Sequence, residues 1–119
     1  MSDDLRRAFF KDLAQVEDSA MASAREALSG SDVPDWVESE DAVRTLRAAL
    51  TSRDQVDAMA TFVKEMVHQA VHSVLVAIDG GSASAEVGRV HLADERGMPL
   101  SDALHEEYVD YLLKTGRMS

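Results

Sequence analysis

The stretch from Ser52 to Gly81 constrains the fold most, because it carries the clearest helix signal in the chain. Ser52-Arg53-Asp54-Gln55 opens it as a capping box. The Ser52 hydroxyl accepts the backbone N–H of Gln55, and the Gln55 side chain reaches back. About seven turns follow before Asp79-Gly80-Gly81 stops them. On a helical wheel, Val56, Met59, Val63, Met66, Val67, Ala70, Val74 and Ile78 fall on one broad stripe. Val63, Val67, Val74 and Ile78 are therefore expected in the core, with Glu65, His68 and His72 pointing roughly the opposite way. After Ser73 the run Val74-Leu75-Val76-Ala77-Ile78 is apolar all round, which suits either a helix entering the core or a short buried strand. Branched residues, and an acid at Asp79 where the helix dipole disfavours one, speak for the strand. The unbroken pattern from Ser52 and the immediate Gly80-Gly81 speak for the helix, which is the expectation adopted.

The remaining elements are set by caps and periodicity. A first helix starts with Ser2 as N-cap and Asp3 and Asp4 set against the dipole, and it places Leu5, Phe9, Leu13, Val16, Ala20 and Ala27 along one face. Gly30 is its expected left-handed cap. A second helix, capped by Ser39, points Val43, Leu46 and Leu50 inward. Residues 87 to 100 read as a short hairpin turning at Gly97, with Pro99 confining the second arm to an edge. Ser101 then caps a last helix with Asp102 in its first turn, Leu104, Tyr108, Tyr111 and Leu112 inward, and Gly116 as its stop. The expected fold is a mainly α single domain over 1–119. It has three to four helices, at about 3–28, 40–50, 53–78 and 102–114, and a small β-hairpin near 87–100. The alternative is an α+β fold with residues 74–78 as a strand in a small antiparallel sheet.

Charge narrows the partners. The net charge of −10 repels phosphate backbones and anionic membranes, so nucleic acid and membrane are not expected as partners, whereas a basic protein surface is attracted. With no cysteine, thiolate metal sites, thiol catalysis and disulfides are excluded. No signal-like or membrane-spanning apolar run is present, and the expected location is the cytoplasm.

Candidate chemistry is sparse. Glu65, His68 and His72 are spaced three and four residues apart, so a helix brings them to one face as two imidazole ligands and a carboxylate for a divalent metal. A metal-dependent enzyme or metal-binding protein using these three is one alternative reading, set against an ordinary polar face. A zincin helix would need a second histidine four residues after His105, where Val109 stands. Gly80-Gly81 lacks the Lys-Ser/Thr of a phosphate loop, and no serine lies in a nucleophile elbow. No cofactor is expected. Asp79 at a helix end calls for a partner, with Arg89, His91 and His105 as candidates for a structural hydrogen bond.

The connection between the first two helices offers a different kind of function. Asp32, Asp35, Glu38, Glu40 and Asp41 supply five acids and no base around Trp36, the single tryptophan. Trp36 can fold back as a lid on the core, or it can anchor a partner whose basic groups meet the carboxylates. The expected function is a non-catalytic interaction domain of inhibitor, immunity or adaptor type that binds a basic protein surface through Asp32, Asp35, Trp36, Glu38, Glu40 and Asp41. A second alternative is a helical subunit that self-associates into a homo-oligomer through its Ala/Met-rich face.

Overall fold

The computed structural model describes residues 2–118. Its four α-helices are, in order, α1 (Ser2–Ser29), α2 (Glu40–Ala49), α3 (Arg53–Ile78) and α4 (Leu104–Lys114). A single 3₁₀ turn at Ala83–Glu86 lies between the last two. The fold is mainly helical as expected, and α3 keeps the run 74–78, so the strand alternative fails. Among the described residues no helix is long and apolar enough to cross a membrane. The role expected of the Ser2 side chain lies outside the described residues.

The hairpin near 87–100 does not form. What remains is one isolated antiparallel bridge, Ala93 with Pro99. The reversal itself is well made: Gly97 has φ +81°, and the Asp94 carboxylate accepts the N–H groups of Arg96 and Met98, both at 2.9 Å. Asp94 N–H donates to the Met98 carbonyl at 2.9 Å and Leu100 N–H to the Leu92 carbonyl at 3.0 Å, and the ladder goes no further on the turn side because the Met98 N–H is taken by the Asp94 side chain.

The capping box of α3 is present in both directions. Gln55 N–H donates to Ser52 Oγ at 3.2 Å, and Ser52 N–H donates to Gln55 Oε1 at 3.2 Å. Other caps differ from expectation. Ser39 stands at the N-cap of α2 without a side-chain cap bond. Gly30 does not adopt a positive φ, whereas Gly116 does, at +74°. Asp102 lies outside α4, and Ser101 accepts the Ala103 N–H at 2.9 Å before the helix starts.

The chain divides into two compact units, residues 1–15 with 69–119, and residues 16–68. The first has a core of Phe10, Ala14, Leu75, Leu100, Leu104, Tyr108 and Leu112. Phe10 anchors it, with its ring centroid 5.4 Å from that of Tyr108 and 5.9 Å from that of Tyr111. Offset and tilted rings at this range add to the area they bury. In the same unit Arg6 joins three segments, pairing with Asp3 at 2.8 Å and Glu107 at 3.2 Å and donating to the Leu100 carbonyl at 3.4 Å.

The second unit buries Ala27, Leu28, Val43, Val56 and Ala60, and with them one acid, Glu17. The His68 Nδ1–H lies 3.1 and 3.2 Å from the two Glu17 oxygens; a carboxylate only accepts, so the imidazole donates. Lys64 with Asp18 at 2.9 Å and Arg25 with Asp57 at 3.1 Å add partly exposed pairs along the same two helices.

This buried pair corrects the expected helix faces. In α1 the inward residues are Phe10, Ala14, Glu17, Ala27 and Leu28, while Leu5 and Val16 are exposed. In α3 they are Val56, Ala60 and Leu75, with His68 half-buried between; Val63, Val67 and Ile78 are half-buried and Val74 is 58 % exposed. Ala27 and Val56 are buried as the pattern implies, whereas Phe10, Ala14, Glu17 and Leu28 of α1 and Ala60 and Leu75 of α3 sit one residue further along than the apolar positions expected there, a step of about 100°. Each inward stripe contains a polar residue where the pattern seeks an apolar one.

The core therefore rests on Leu75 rather than Val74. Leu75→Ala leaves a cavity and is expected to cost about 2–5 kcal/mol. Val74→Asp places its charge in water and should stay within about 0.5 kcal/mol of the parent. Urea denaturation of the two variants checks the assignment, and equal losses would refute it.

Candidate functional site

Helix α1 ends without a left-handed glycine cap, and one of its last carbonyls, that of Ala27, is satisfied from a distance. Arg47 of α2 donates from Nε to the Ala27 carbonyl at 2.8 Å, and from its two terminal nitrogens to the carbonyls of Ser31 at 3.3 Å and Asp32 at 2.8 Å. A planar fork of five donors suits three carbonyls at once, and a cation is favoured at the negative end of the α1 dipole. The guanidinium thereby holds α2, the end of α1 and the start of the connecting loop together. Sequence reasoning did not single out Arg47, because no local spacing relates it to Ala27.

Beyond this staple the loop makes a tight turn. Val37 N–H donates to the Pro34 carbonyl at 3.0 Å, which places Asp35 and Trp36 at the two central positions. Val33, Pro34 and Val37 are half-buried and seat the turn on its unit. Trp36 is 56 % exposed, so it does not lid the core. The smaller Val37 is half-buried and takes the inward place.

The carboxylates around Trp36 are all exposed. Glu40 pairs with Arg44 at 3.1 Å, and Asp41 lies 3.9 Å from the same guanidinium. Among the described residues Asp32, Asp35 and Glu38 form no ion pair. The six residues expected to bind a protein thus share one loop and the first turn of α2. Their negative charge is only partly compensated, and it surrounds an aromatic surface open to solvent.

The other candidate set is not assembled. Glu65 is exposed, His68 is turned onto Glu17, and His72 meets His105 edge to face with ring centroids 5.5 Å apart. Among the described residues no group of three or more histidines or acids is placed to hold a metal ion.

Asp79 finds its partners in α4. Its Oδ1 accepts the Leu104 N–H at 2.9 Å, its Oδ2 accepts the His105 N–H at 2.9 Å, and the His105 Nδ1–H donates to Oδ2 as well. Arg89 donates to the Asp79 carbonyl at 2.9 Å. Of the three anticipated partners, then, His105 meets the carboxylate and Arg89 the backbone. The acid that is misplaced at the end of α3 is well placed at the start of α4, where N–H groups and the positive dipole end face it. Burial raises the Asp79 pKa, but the His105 and Leu104 N–H groups, the His105 ring bond and its charge outweigh that and hold it below the ordinary carboxylate value.

No family model, curated protein or solved structure matches the chain.

Since the folded Asp79 pKa is depressed, its contribution to stability is complete above the unfolded value and fades as pH falls through the folded one. Asp79→Asn should cost about 1–3 kcal/mol near neutrality. The gap between parent and variant should then narrow as pH drops below about 4. Denaturant titrations across that range check the sign, and a gap that widens in acid would contradict it.

Proposed function

We propose that this protein is a non-catalytic interaction domain, of inhibitor, immunity or adaptor type, that docks a basic protein surface onto the loop from Asp32 to Asp41. The observation that carries the reading is the position of Trp36, more than half exposed at the centre of a turn flanked by carboxylates. A large exposed indole costs solvation that a soluble chain ordinarily avoids, and tryptophan is enriched among residues that anchor interfaces.

The supporting physics is of two kinds. The loop is ordered before any partner arrives, because Arg47 holds one end and the Pro34–Val37 turn holds the middle. Preorganisation reduces the ordering cost of binding. The charges act at longer range: Asp32, Asp35 and Glu38 add to the net charge of −10 and draw in a basic partner, while Trp36 supplies contact area once the complex forms. The same charge disfavours nucleic acid and anionic lipid, and the reading places the protein in the cytoplasm beside its partner.

The test is kinetic. Against the partner, neutralising Asp35, Glu38, Glu40 and Asp41 to their amides should slow association by about tenfold or more at low salt while leaving the melting temperature unchanged. Trp36→Ala should mainly speed dissociation. Parent association should slow as salt rises, since exposed charges are screened over about 8 Å at physiological ionic strength. Association that is insensitive to both salt and the amide substitutions would remove the loop from the function.

A further inference from the structure

Asp79 fixes more than the start of α4. By holding the His105 Nδ1–H, its carboxylate also sets which nitrogen of that ring carries the free lone pair. A neutral imidazole with its proton at Nδ1 offers the lone pair at Nε2, on the far side of the ring from Asp79. Glu106 stands near that nitrogen, its Oε1 3.9 Å from Nε2. His72 precedes Asp79 by seven residues, about two turns along the same face of α3. Its ring centroid is 5.5 Å from that of His105, with the two planes 83° apart. His72, Asp79, His105 and Glu106 all belong to the first unit.

His72 is the member with no structural task. It is half-buried, and among the described residues it makes no hydrogen bond and no ion pair, only the contact with the His105 ring. Two imidazoles that share one tetrahedral ion, each nitrogen about 2.1 Å from it, have their centroids roughly 5 Å apart. Ring packing alone occurs at the same distance. It leaves the His105 Nε2 and both His72 nitrogens without a hydrogen-bond partner in the protein, and it gives no reason for a carboxylate behind His105.

We propose that His72 and His105 bind one divalent transition-metal ion of the Zn²⁺, Ni²⁺ and Cu²⁺ group, His105 through Nε2. Neutral imidazole selects such ions over the hard cations Mg²⁺ and Ca²⁺, which take oxygen ligands. Asp79 is the outer carboxylate: a ligating histidine commonly donates its other N–H to one, which fixes the ring and raises its basicity. The rings now stand edge to face, so His72 turns about its outer side-chain bond to converge on the ion. That torsion is soft, and no hydrogen bond opposes it. Glu106 is too distant to complete a set of three as it stands. Its side chain is exposed and swings in as a third ligand, with water in the remaining position. The net charge of −10 adds a general attraction for any cation. Loaded, the site ties α3 to α4 beside the link that Asp79 already makes.

Calorimetric titration with ZnCl₂ of the full chain, purified without a histidine tag and freed of metal by chelator, reads the binding. One ion should bind per chain. The melting temperature should rise with Zn²⁺ and fall back on adding EDTA, since an ion held only by the folded chain stabilises it. His72→Ala breaks no hydrogen bond, so it should melt like the parent without metal and bind Zn²⁺ about tenfold or more weakly. His91→Ala, at an exposed histidine outside the set, should bind as the parent does. Cu²⁺ reports its ligands without any substitution, and its paramagnetic resonance spectrum in the parent should show coupling to two imidazoles. A parent that takes up no Zn²⁺, a His72→Ala variant that binds like the parent, a His91→Ala variant that loses the ion, or a Cu²⁺ spectrum with a single imidazole would each overturn the proposal.

Discussion

Each α-helix begins with N–H groups that have no acceptor inside it, and in α4 the acceptor is Asp79, 25 residues before Leu104 in sequence. The consequences extend through the first unit. Both carboxylate oxygens take a backbone donor at the mouth of α4, and the His105 ring adds a third. The start of α4 is thereby fixed to the end of α3. Leu104 and Tyr108 then enter the core with no exposed surface, and they meet Phe10 and Leu75 there. The depressed pKa of Asp79 expresses the same energy in another form, because the donors that orient the helix also stabilise the charge.

Arg47 plays the complementary part in the second unit. There the groups reached are one carbonyl in the last turn of α1 and two in the loop that follows it, and the side chain that reaches them is a cation. The acidic loop leaves directly from this staple, so one guanidinium both completes a helix and orders the surface proposed to bind. The buried Glu17–His68 pair is the third such contact. A charge-assisted bond of this kind inside a small unit costs desolvation that apolar packing would not, yet it sets the rotation of α1 against α3 among the residues of that unit.

The loop around Trp36 is strongly negative, and the binding proposed there is steered from a distance and weakened by salt. Trp36 and Met66 were both legible in the sequence as large apolar residues. Their exposure was not, because exposure depends on what the fold leaves uncovered.

Local chemistry was enough to read the four helices, the Ser52–Gln55 box, the glycine turns at Gly97 and Gly116, and the acidic character of residues 32 to 41. Each of these depends on residues a few positions apart, and their interactions form within a turn of backbone. Tertiary structure decided the faces of α1 and α3, since Glu17 and His68 occupy inward positions that only their pairing permits. It also decided that His68 turns to Glu17 and away from His72, and that Asp79 and Arg47 cap helices not their own. Those outcomes come from groups 15 to 51 residues apart satisfying one another, as with Arg47 on Asp32 and His68 on Glu17. Periodicity along the chain carries no record of such meetings, because the hydrogen bond that makes a buried polar residue tolerable belongs to its partner as much as to itself.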